Sequence, residues 1–307
     1  MNRILSLSFS DQFVYLVHGV EEQSLIEVVS SEKIIFPGGS DIYNIFSDEN
    51  IDYLAGLIKK EKSTKFINDN ITIKISLPFQ YSYLKRIAVP ALNNSTEMFS
   101  QVRWEFENYL PEKPDNYKVI KTDIIFEYAE YKEIVFIAIL KDIIKQLVKL
   151  AEKNGDVLGE LVLDVFCIER YLRINTLLDF SAVQVVLYVD RYRLTIHVYI
   201  GGKYYTTFVD PINPEAQKYS FEDKILEISK DRINQIQNLI SQAGFNRGDS
   251  QQFFLYNTVM KEALLQRFNE EFDLNFIELP VLGQKQNESM INSSLESLGL
   301  MNIRTKL

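Results

Sequence analysis

The chain has 307 residues, of which 46% are hydrophobic and 24% charged, with a formal net charge of −9. This composition is typical of a globular protein and excludes disorder, and the length predicts about two domains. An acidic surface repels phosphate backbones, so nucleic acid is not expected as a partner. No stretch reaches the ~18 apolar residues of a membrane span, and the first residues are too polar for a signal peptide. With Cys167 as the single cysteine, we expect a cytoplasmic protein without a disulfide or direct membrane insertion.

The first half of the chain predicts alternating strands and helices. Apolar and polar residues alternate with a period of two in several runs, and apolar residues recur at helical spacing in others. The clearest helix follows Asn94, which has Glu97 three positions on, the spacing of a capping box. The predicted strands are 4–9, 13–17, 24–30, 71–77, 83–89, 117–128 and 132–140. The predicted helices are 51–62, 94–110 and 142–153.

The second half repeats the opening of the first. Three strands joined by short turns occur near residues 3–30 and again near 183–209, which predicts a duplicated architecture. Hairpins mixed with helices favour a mixed α/β fold over a purely parallel sheet. The predicted strands are 183–189, 193–200, 203–209, 252–256 and 275–279. The predicted helices are 221–243, 259–268 and 291–298, the last ended by Gly299.

Three segments carry a resemblance to a known family. They are IKISLP at 73–78, RIAVP at 86–90, and a helix that ends in the acidic aromatic run WEFENYLP at 104–111. Together they resemble the PilM family of type IV pilus assembly proteins. Segments at 134–141, 154–155, 164–170 and 297–300 follow in the family's order. The resemblance implies the two-domain α/β fold of actin and FtsA (ribonuclease H-like), with an inserted subdomain of the type called 1C.

The resemblance also predicts the domain boundaries. Actin-like domain 1 would contain residues 1–71, completed by 143–180 and 285–307. The inserted 1C-type subdomain would span 72–142, and domain 2 would span 181–284. The connection at 210–220 is short, so we expect subdomain 2B to be reduced or missing.

The phosphate-binding turns of the fold look degenerate in this chain. Actin-like ATPases carry an Asp-x-Gly turn in the first hairpin of each domain, where backbone amides wrap the phosphates and the Asp helps to hold a metal. By spacing, these positions fall on Ser8 and Ser10 in domain 1 and on Tyr188 and Asp190 in domain 2. The family's later Gly-Gly turn corresponds to residues 255–258, which contain no glycine. We therefore predict no nucleotide cofactor, no metal and no catalysis: a pseudo-ATPase.

Other residues are of types that catalyse reactions or bind metals elsewhere, but most of them have a structural explanation here. His197 lies inside an alternating strand, and Cys167 lies in an apolar run, so both are expected to be packed side chains. Glu105 and Glu107 are two apart on a helix and do not share a face. Asp164 and Glu169 fall where a helix of active relatives passes the nucleotide. For these two, a remnant role and a capping or surface role both remain open.

The resemblance implies a role in binding a partner. PilM-like proteins sit on the cytoplasmic face of the inner membrane and hold the cytoplasmic tail of a single-span membrane protein between subdomains 1A and 1C. We accordingly expect a non-catalytic scaffold of a type IV pilus or related secretion machine, with self-association left open. Trp104 and Tyr109 are candidate partner anchors, although core packing is an alternative for Trp104. Alternative functions are a diverged ATPase or kinase, and an FtsA-like division or cell-shape scaffold.

Overall fold

The computed structural model describes residues 2–10, 13–22, 25–35, 45–64, 70–90, 95–213, 220–242, 251–257, 262–272, 274–279 and 293–303. The strands are β1 (Asn2–Phe9), β2 (Phe13–Glu22), β3 (Leu25–Ile35), β4 (Thr72–Leu77), β5 (Ser82–Pro90), β6 (Tyr117–Glu127), β7 (Tyr131–Leu140), β8 (Val157–Leu163), β9 (Val183–Val189), β10 (Arg193–Ile200), β11 (Lys203–Pro211), β12 (Gln251–Asn257) and β13 (Phe276–Glu278). The helices are α1 (Asp48–Thr64), α2 (Ser95–Glu107), α3 (Lys141–Glu152), α4 (Asp164–Ile174), α5 (Phe221–Gln242), α6 (Glu262–Phe272) and α7 (Leu295–Leu300).

Two five-stranded sheets share one strand order. The first is β3-β2-β1-β4-β8 and the second is β11-β10-β9-β12-β13. In each, the first three strands form an antiparallel meander, and in the second sheet β9, β12 and β13 run parallel. The duplicated architecture and the mixed α/β class predicted from the sequence are therefore confirmed.

The chain forms two compact units. The first contains residues 1–42, 74–76 and 162–307, and the second contains 43–73 and 77–161. The predicted domain boundaries are not tested by this division and stay a prediction. Within the described part of the chain, no helix is long and apolar enough to cross a membrane.

The second sheet lies in the first unit and has a buried centre. Every residue of β9 and β10 is buried. A strand that is buried on both faces has a nearly continuous apolar sequence, and VQVVLYV in β9 has this pattern. A two-residue turn joins β10 to β11, and its Gly201 and Gly202 have φ angles of +57° and +68°. Positive φ at both positions favours glycine and gives the tight turn that the sequence predicted.

The second unit contains a three-stranded sheet, β5-β7-β6, covered by α2. Alternate residues of the strands and the apolar stripe of α2 form one core. Its buried members are Ile87, Val89, Met98, Val102, Phe106, Leu110, Tyr117, Ile134, Phe136 and Ala138. These elements lie within the range predicted for the inserted subdomain.

The region between β11 and β12 is short and mostly helical. Its described residues, 212–213 and 220–242, form α5 and no strand. A four-stranded subdomain 2B in this region is therefore not present among the described residues. Part of the predicted 210–220 loop, residues 214–219, lies outside them.

Strand β8 and helix α4 were not predicted from the sequence, because the apolar run LVLDVFC at 161–167 spans their junction without a glycine or a proline. The predicted end of the last helix was wrong. Gly299 was expected to end the last helix, but α7 continues to Leu300. The structure gives the glycine another reason: a Cβ atom at Gly299 would lie 1.8 Å from the backbone oxygen of Cys167 in α4.

Candidate functional site

The two predicted phosphate turns close on their own side chains. In the β1–β2 turn, the Ser10 amide donates to the Phe13 carbonyl (2.9 Å), and the Phe13 amide donates to Ser10 Oγ (3.1 Å). In the β9–β10 turn, the Asp190 amide donates to the Arg193 carbonyl (3.0 Å), and the Arg191 amide donates to Asp190 Oδ1 (2.9 Å). A phosphate turn works by offering backbone amides to oxygen anions, and these internal bonds occupy four such amides, those of Ser10, Phe13, Asp190 and Arg191.

Ser8 is tied to the last helix. It is 1% exposed, and its Oγ lies 2.6 Å from Ser294 Oγ and 2.7 Å from Ser297 Oγ. Ser294 is the N-cap of α7, and its Oγ accepts the Ser297 amide at 3.1 Å. The position predicted for the metal-holding Asp of domain 1 therefore belongs to a closed network of three hydroxyls.

Tyr188, at the equivalent position of domain 2, is also enclosed. Its ring stacks on that of Tyr256 with centroids 4.8 Å apart and an interplanar angle of 16°. Its hydroxyl donates to Asp190 Oδ2 at 3.2 Å, while the Tyr256 hydroxyl lies 3.4 Å from Glu296 Oε2 and accepts the Leu295 amide. Tyr256 lies in the segment where the family carries a Gly-Gly turn. Two large aromatic side chains, Tyr188 and Tyr256, are thus stacked beside the β9–β10 turn.

We name this set the turn cluster. Its members are buried residues from the two turns, β12 and α7: Ser8, Ser10, Tyr188, Asp190, Tyr256, Ser294, Glu296 and Ser297.

The electrostatics of the turn cluster centre on Glu296. Burial, aided by the charges of Asp164 and Asp190, raises the pKa of Glu296 from 4.5 to about 7. Burial and the charge of Asp190 also raise the pKa of the Tyr188 phenol well above its ordinary value. A buried carboxyl group close to two others stays neutral more easily than it ionises. A triphosphate would bring further negative charge into this acidic environment.

The turn cluster does not fit a metal. Among the residues that the structure describes, no group of three or more His, Cys, Asp or Glu side chains could hold an ion. Serine and tyrosine hydroxyls are weak replacements for the carboxylate and water oxygens that magnesium requires.

The other residues named from the sequence lie where packing explains them. Cys167 and His197 are fully buried, and burial lowers the pKa of His197 to about 3, so its ring is neutral. Asp164 is also buried and accepts the Val165 amide at 2.7 Å, as a helix-start residue does. Glu169 pairs with Arg173 one turn along α4. Glu296 itself was missed, since no motif marks a single Glu in the apolar run 295–301.

A second candidate surface lies in the second unit, where α2 runs along β5. Three contacts join the two segments, which run in opposite directions. Gln101 Nε2 donates to the Ala88 carbonyl (2.6 Å), and Glu105 pairs with Lys85 (2.7 Å). Tyr109 packs edge-on against Tyr83, with ring centroids 6.0 Å apart. The side chains at 101, 105 and 109 recur every four residues and therefore line one side of the chain segment. We name this line of contacts the α2–β5 seam.

Trp104 and Tyr109 stand at the exposed side of this seam. Trp104 is 62% exposed and Tyr109 46%, so core packing does not explain Trp104. Nearby in the chain, Arg103 pairs with Glu107 and with Asp115, and the Asp115 side chain is 80% exposed. Glu105 pairs with Lys85 and Glu107 pairs with Arg103, so the two carboxylates do not act together, as predicted for residues two apart on a helix.

Comparison with known proteins identifies the fold. No protein-family model and no curated protein matches the sequence. Among solved structures, a chain of the PilM-PilN type IV pilus biogenesis complex matches with a TM-score of 0.73 and 15% identity, over 97% of both chains. A Bacteroides thetaiotaomicron protein with an actin-like ATPase fold matches with a TM-score of 0.53 and 12% identity, over 99% of this chain and 96% of that one. The chain has the actin-like fold. The fold inferred from the resemblance to PilM is therefore confirmed.

A third solved structure that matches this chain comes from a secretion system. The cytoplasmic domain of EpsL, an inner-membrane component of the type II secretion system of Vibrio cholerae, matches with a TM-score of 0.52 and 8% identity. The match covers 98% of this chain and 93% of that one.

Proposed function

We propose that this chain is a non-catalytic actin-like scaffold of a type IV pilus or related secretion assembly. It would act in the cytoplasm at the inner membrane by binding the cytoplasmic tail of a single-span membrane protein. The turn cluster supports the non-catalytic part of the proposal, because Ser10 and Asp190 each accept a backbone amide of their own turn. The similarity to PilM, solved in complex with PilN, and to EpsL supports the assembly and the partner.

The α2–β5 seam is the surface that we assign to the tail. Trp and Tyr are among the residue types most enriched at interface anchors. Here Trp104 lies on α2, which packs on a buried core, and Tyr109 lies in the turn that follows the helix. The net charge of −9 favours a tail that carries basic residues.

Trp104→Ala is expected to reduce recovery of the membrane partner at least tenfold in a pull-down from solubilised membranes, since a hot-spot Trp contributes about 2 kcal/mol or more. The matched control is Phe99→Ala. Phe99 is an aromatic residue of the same helix with similar exposure (57%), and it lies about 140° around the helix axis from Trp104.

Circular dichroism of both variants verifies folding before the pull-down. Loss of partner with Trp104→Ala and retention with Phe99→Ala supports the assignment. Full recovery with folded Trp104→Ala removes Trp104 as the anchor. If the wild-type chain enriches no single-span membrane protein, the proposed function itself is wrong.

A further inference from the structure

The edges of the three sheets differ in how they are protected against pairing with another chain. Natural edge strands avoid pairing by carrying charged residues, by being short or by bulging. Charged residues interrupt four of the outer strands: Glu27, Glu32 and Lys33 in β3, Lys85 and Arg86 in β5, Lys118, Lys121 and Asp123 in β6, and Glu160 in β8. The outer strand β13 has three residues.

Strand β11 is longer than β13, its charges Lys203 and Asp210 lie only at or near its ends, and its remaining protection is a single bulge at Tyr205. Its residues 204–209, Tyr-Tyr-Thr-Thr-Phe-Val, contain no charge, no proline and no glycine, and each has high β-propensity. Among the described residues its only strand partner is β10. Charges occur just outside this run, with Lys203 before it and Asp210 after it.

The register of β11 on β10 fixes which side chains share a face. Thr207 lies opposite His197, Thr206 opposite Val198 and Tyr204 opposite Tyr199, so Tyr205 is the extra residue of a β-bulge. The bulge places Lys203 on the same face as Thr206, Phe208 and Asp210, while Tyr204 shares the other face with Thr207 and Val209.

We propose that two copies of this chain pair through antiparallel β11 strands about a two-fold axis at Thr207. In a continuous antiparallel sheet, two residues that lie directly opposite each other point to the same face. Neighbouring residues of one strand point to opposite faces, so the two-fold axis must pass through a residue and cannot pass between two neighbouring residues. With Thr207 opposite itself, Thr206 faces Phe208, Tyr204 faces Val209 and Lys203 faces Asp210, each pair on one face. Both ends of the joined strands then carry a pair of opposite charges.

Neighbouring registers lose this complementarity. An axis at Thr206 places Lys203 opposite Phe208 and leaves Asp210 beyond the paired region, and an axis at Phe208 places Asp210 opposite Thr206. Arg232 already binds Asp210 with two hydrogen bonds, of 2.6 and 2.7 Å. Each carboxylate oxygen has two lone pairs, so Asp210 can accept a lysine of the second copy without releasing Arg232.

Sedimentation equilibrium of the full chain over a range of micromolar concentrations tests the proposal. The wild type is expected to show a reversible monomer–dimer equilibrium. Lys203→Glu is expected to raise the dimer Kd roughly tenfold, because two opposite-charge cross-strand pairs become like-charge pairs. Val209→Lys adds a charge within the run, at a position that is 37% exposed, and is expected to leave only monomer. The control is Lys60→Glu, the same charge change at an exposed residue of α1.

The variant Thr207→Cys tests the proposed register, in which residue 207 of one copy lies opposite residue 207 of the other. The single native cysteine, Cys167, is fully buried, so an engineered cysteine is the one thiol free to oxidise. Mild oxidation is expected to give a disulfide-linked dimer of Thr207→Cys, and none of the control Ser63→Cys. The proposal is overturned if the wild type stays monomeric, or if its dimer is unaffected by Lys203→Glu and Val209→Lys. Lys203 is exposed at the strand end, so Lys203→Glu remains informative even if Val209→Lys does not fold.

Discussion

Replacing Gly299 by alanine is expected to lower the free energy of unfolding by about 3 kcal/mol or more. The added Cβ would lie 1.8 Å from the Cys167 carbonyl oxygen and 2.7 Å from its carbonyl carbon. These are backbone atoms of α4, so no side-chain rotation relieves the clash, and α4 and α7 must separate. Overpacking in a well-packed core costs about 1–3 kcal/mol when side chains can adjust, and more when they cannot. Urea denaturation followed by circular dichroism measures the change.

The matched control is Gly56→Ala in α1. A Cβ at Gly56 meets nothing within 4 Å, and the residue lies within the helix. Alanine is a better helix former than glycine, so this variant should gain about 0.5–1 kcal/mol of stability. Equal and small effects of the two substitutions would contradict the packing of α7 on α4 described above.

Glu296→Gln is expected to remove much of the pH dependence of stability between about pH 4.5 and pH 7. The pKa of Glu296 is raised from 4.5 to about 7 by burial first and by Asp164 and Asp190 in addition. In this window the folded chain holds a proton that the unfolded chain has lost, so the wild type loses stability as pH rises. A shift of this size corresponds to about 3 kcal/mol. Gln cannot ionise and retains an oxygen that can accept a hydrogen bond from Tyr256.

Urea denaturation at pH 5 and pH 8 measures this effect as a difference between variants. The wild type should lose about 3 kcal/mol more than Glu296→Gln between the two pH values. Other titrating groups contribute equally to both proteins, so the comparison isolates one carboxyl group. Glu107→Gln, which removes an exposed carboxylate, serves as the control and should behave as the wild type does. A wild type and Glu296→Gln with parallel pH profiles would show that Glu296 is not held in a buried acidic environment.

The sequence predicts most strands and helices of this fold because each has a regular spacing of apolar residues within its own segment. Helix α5 was predicted at 221–243 and observed at Phe221–Gln242, and the hairpin of β6 and β7 was predicted within one residue at each end. In both cases the apolar period is regular and the ends are marked by turn residues. The junction of β8 and α4 was missed for the opposite reason. Leu163 precedes α4 without a side-chain cap, so nothing in the sequence marks the change of period.

The candidate site was predicted only in part. Ser8, Ser10, Tyr188 and Asp190 could be placed because the spacing from each hairpin start is short and fixed. Glu296 comes from the far end of the chain, and its approach to Tyr256 is set by the packing of α7, which no local pattern reports. Likewise, the need for glycine at 299 comes from the backbone of α4, more than a hundred residues earlier.

The central claim is that the turns that bind nucleotide in actin-like ATPases are closed in this chain. Ser10 Oγ and Asp190 Oδ1 accept the amides of their own turns, and Tyr188 and Tyr256 stack beside them. Isothermal titration calorimetry with magnesium-ATP tests this most directly, with an ATP-binding protein of the same fold as positive control. We expect no heat of binding up to millimolar nucleotide. Saturable binding with a micromolar Kd would contradict the account and favour a diverged actin-fold ATPase or kinase.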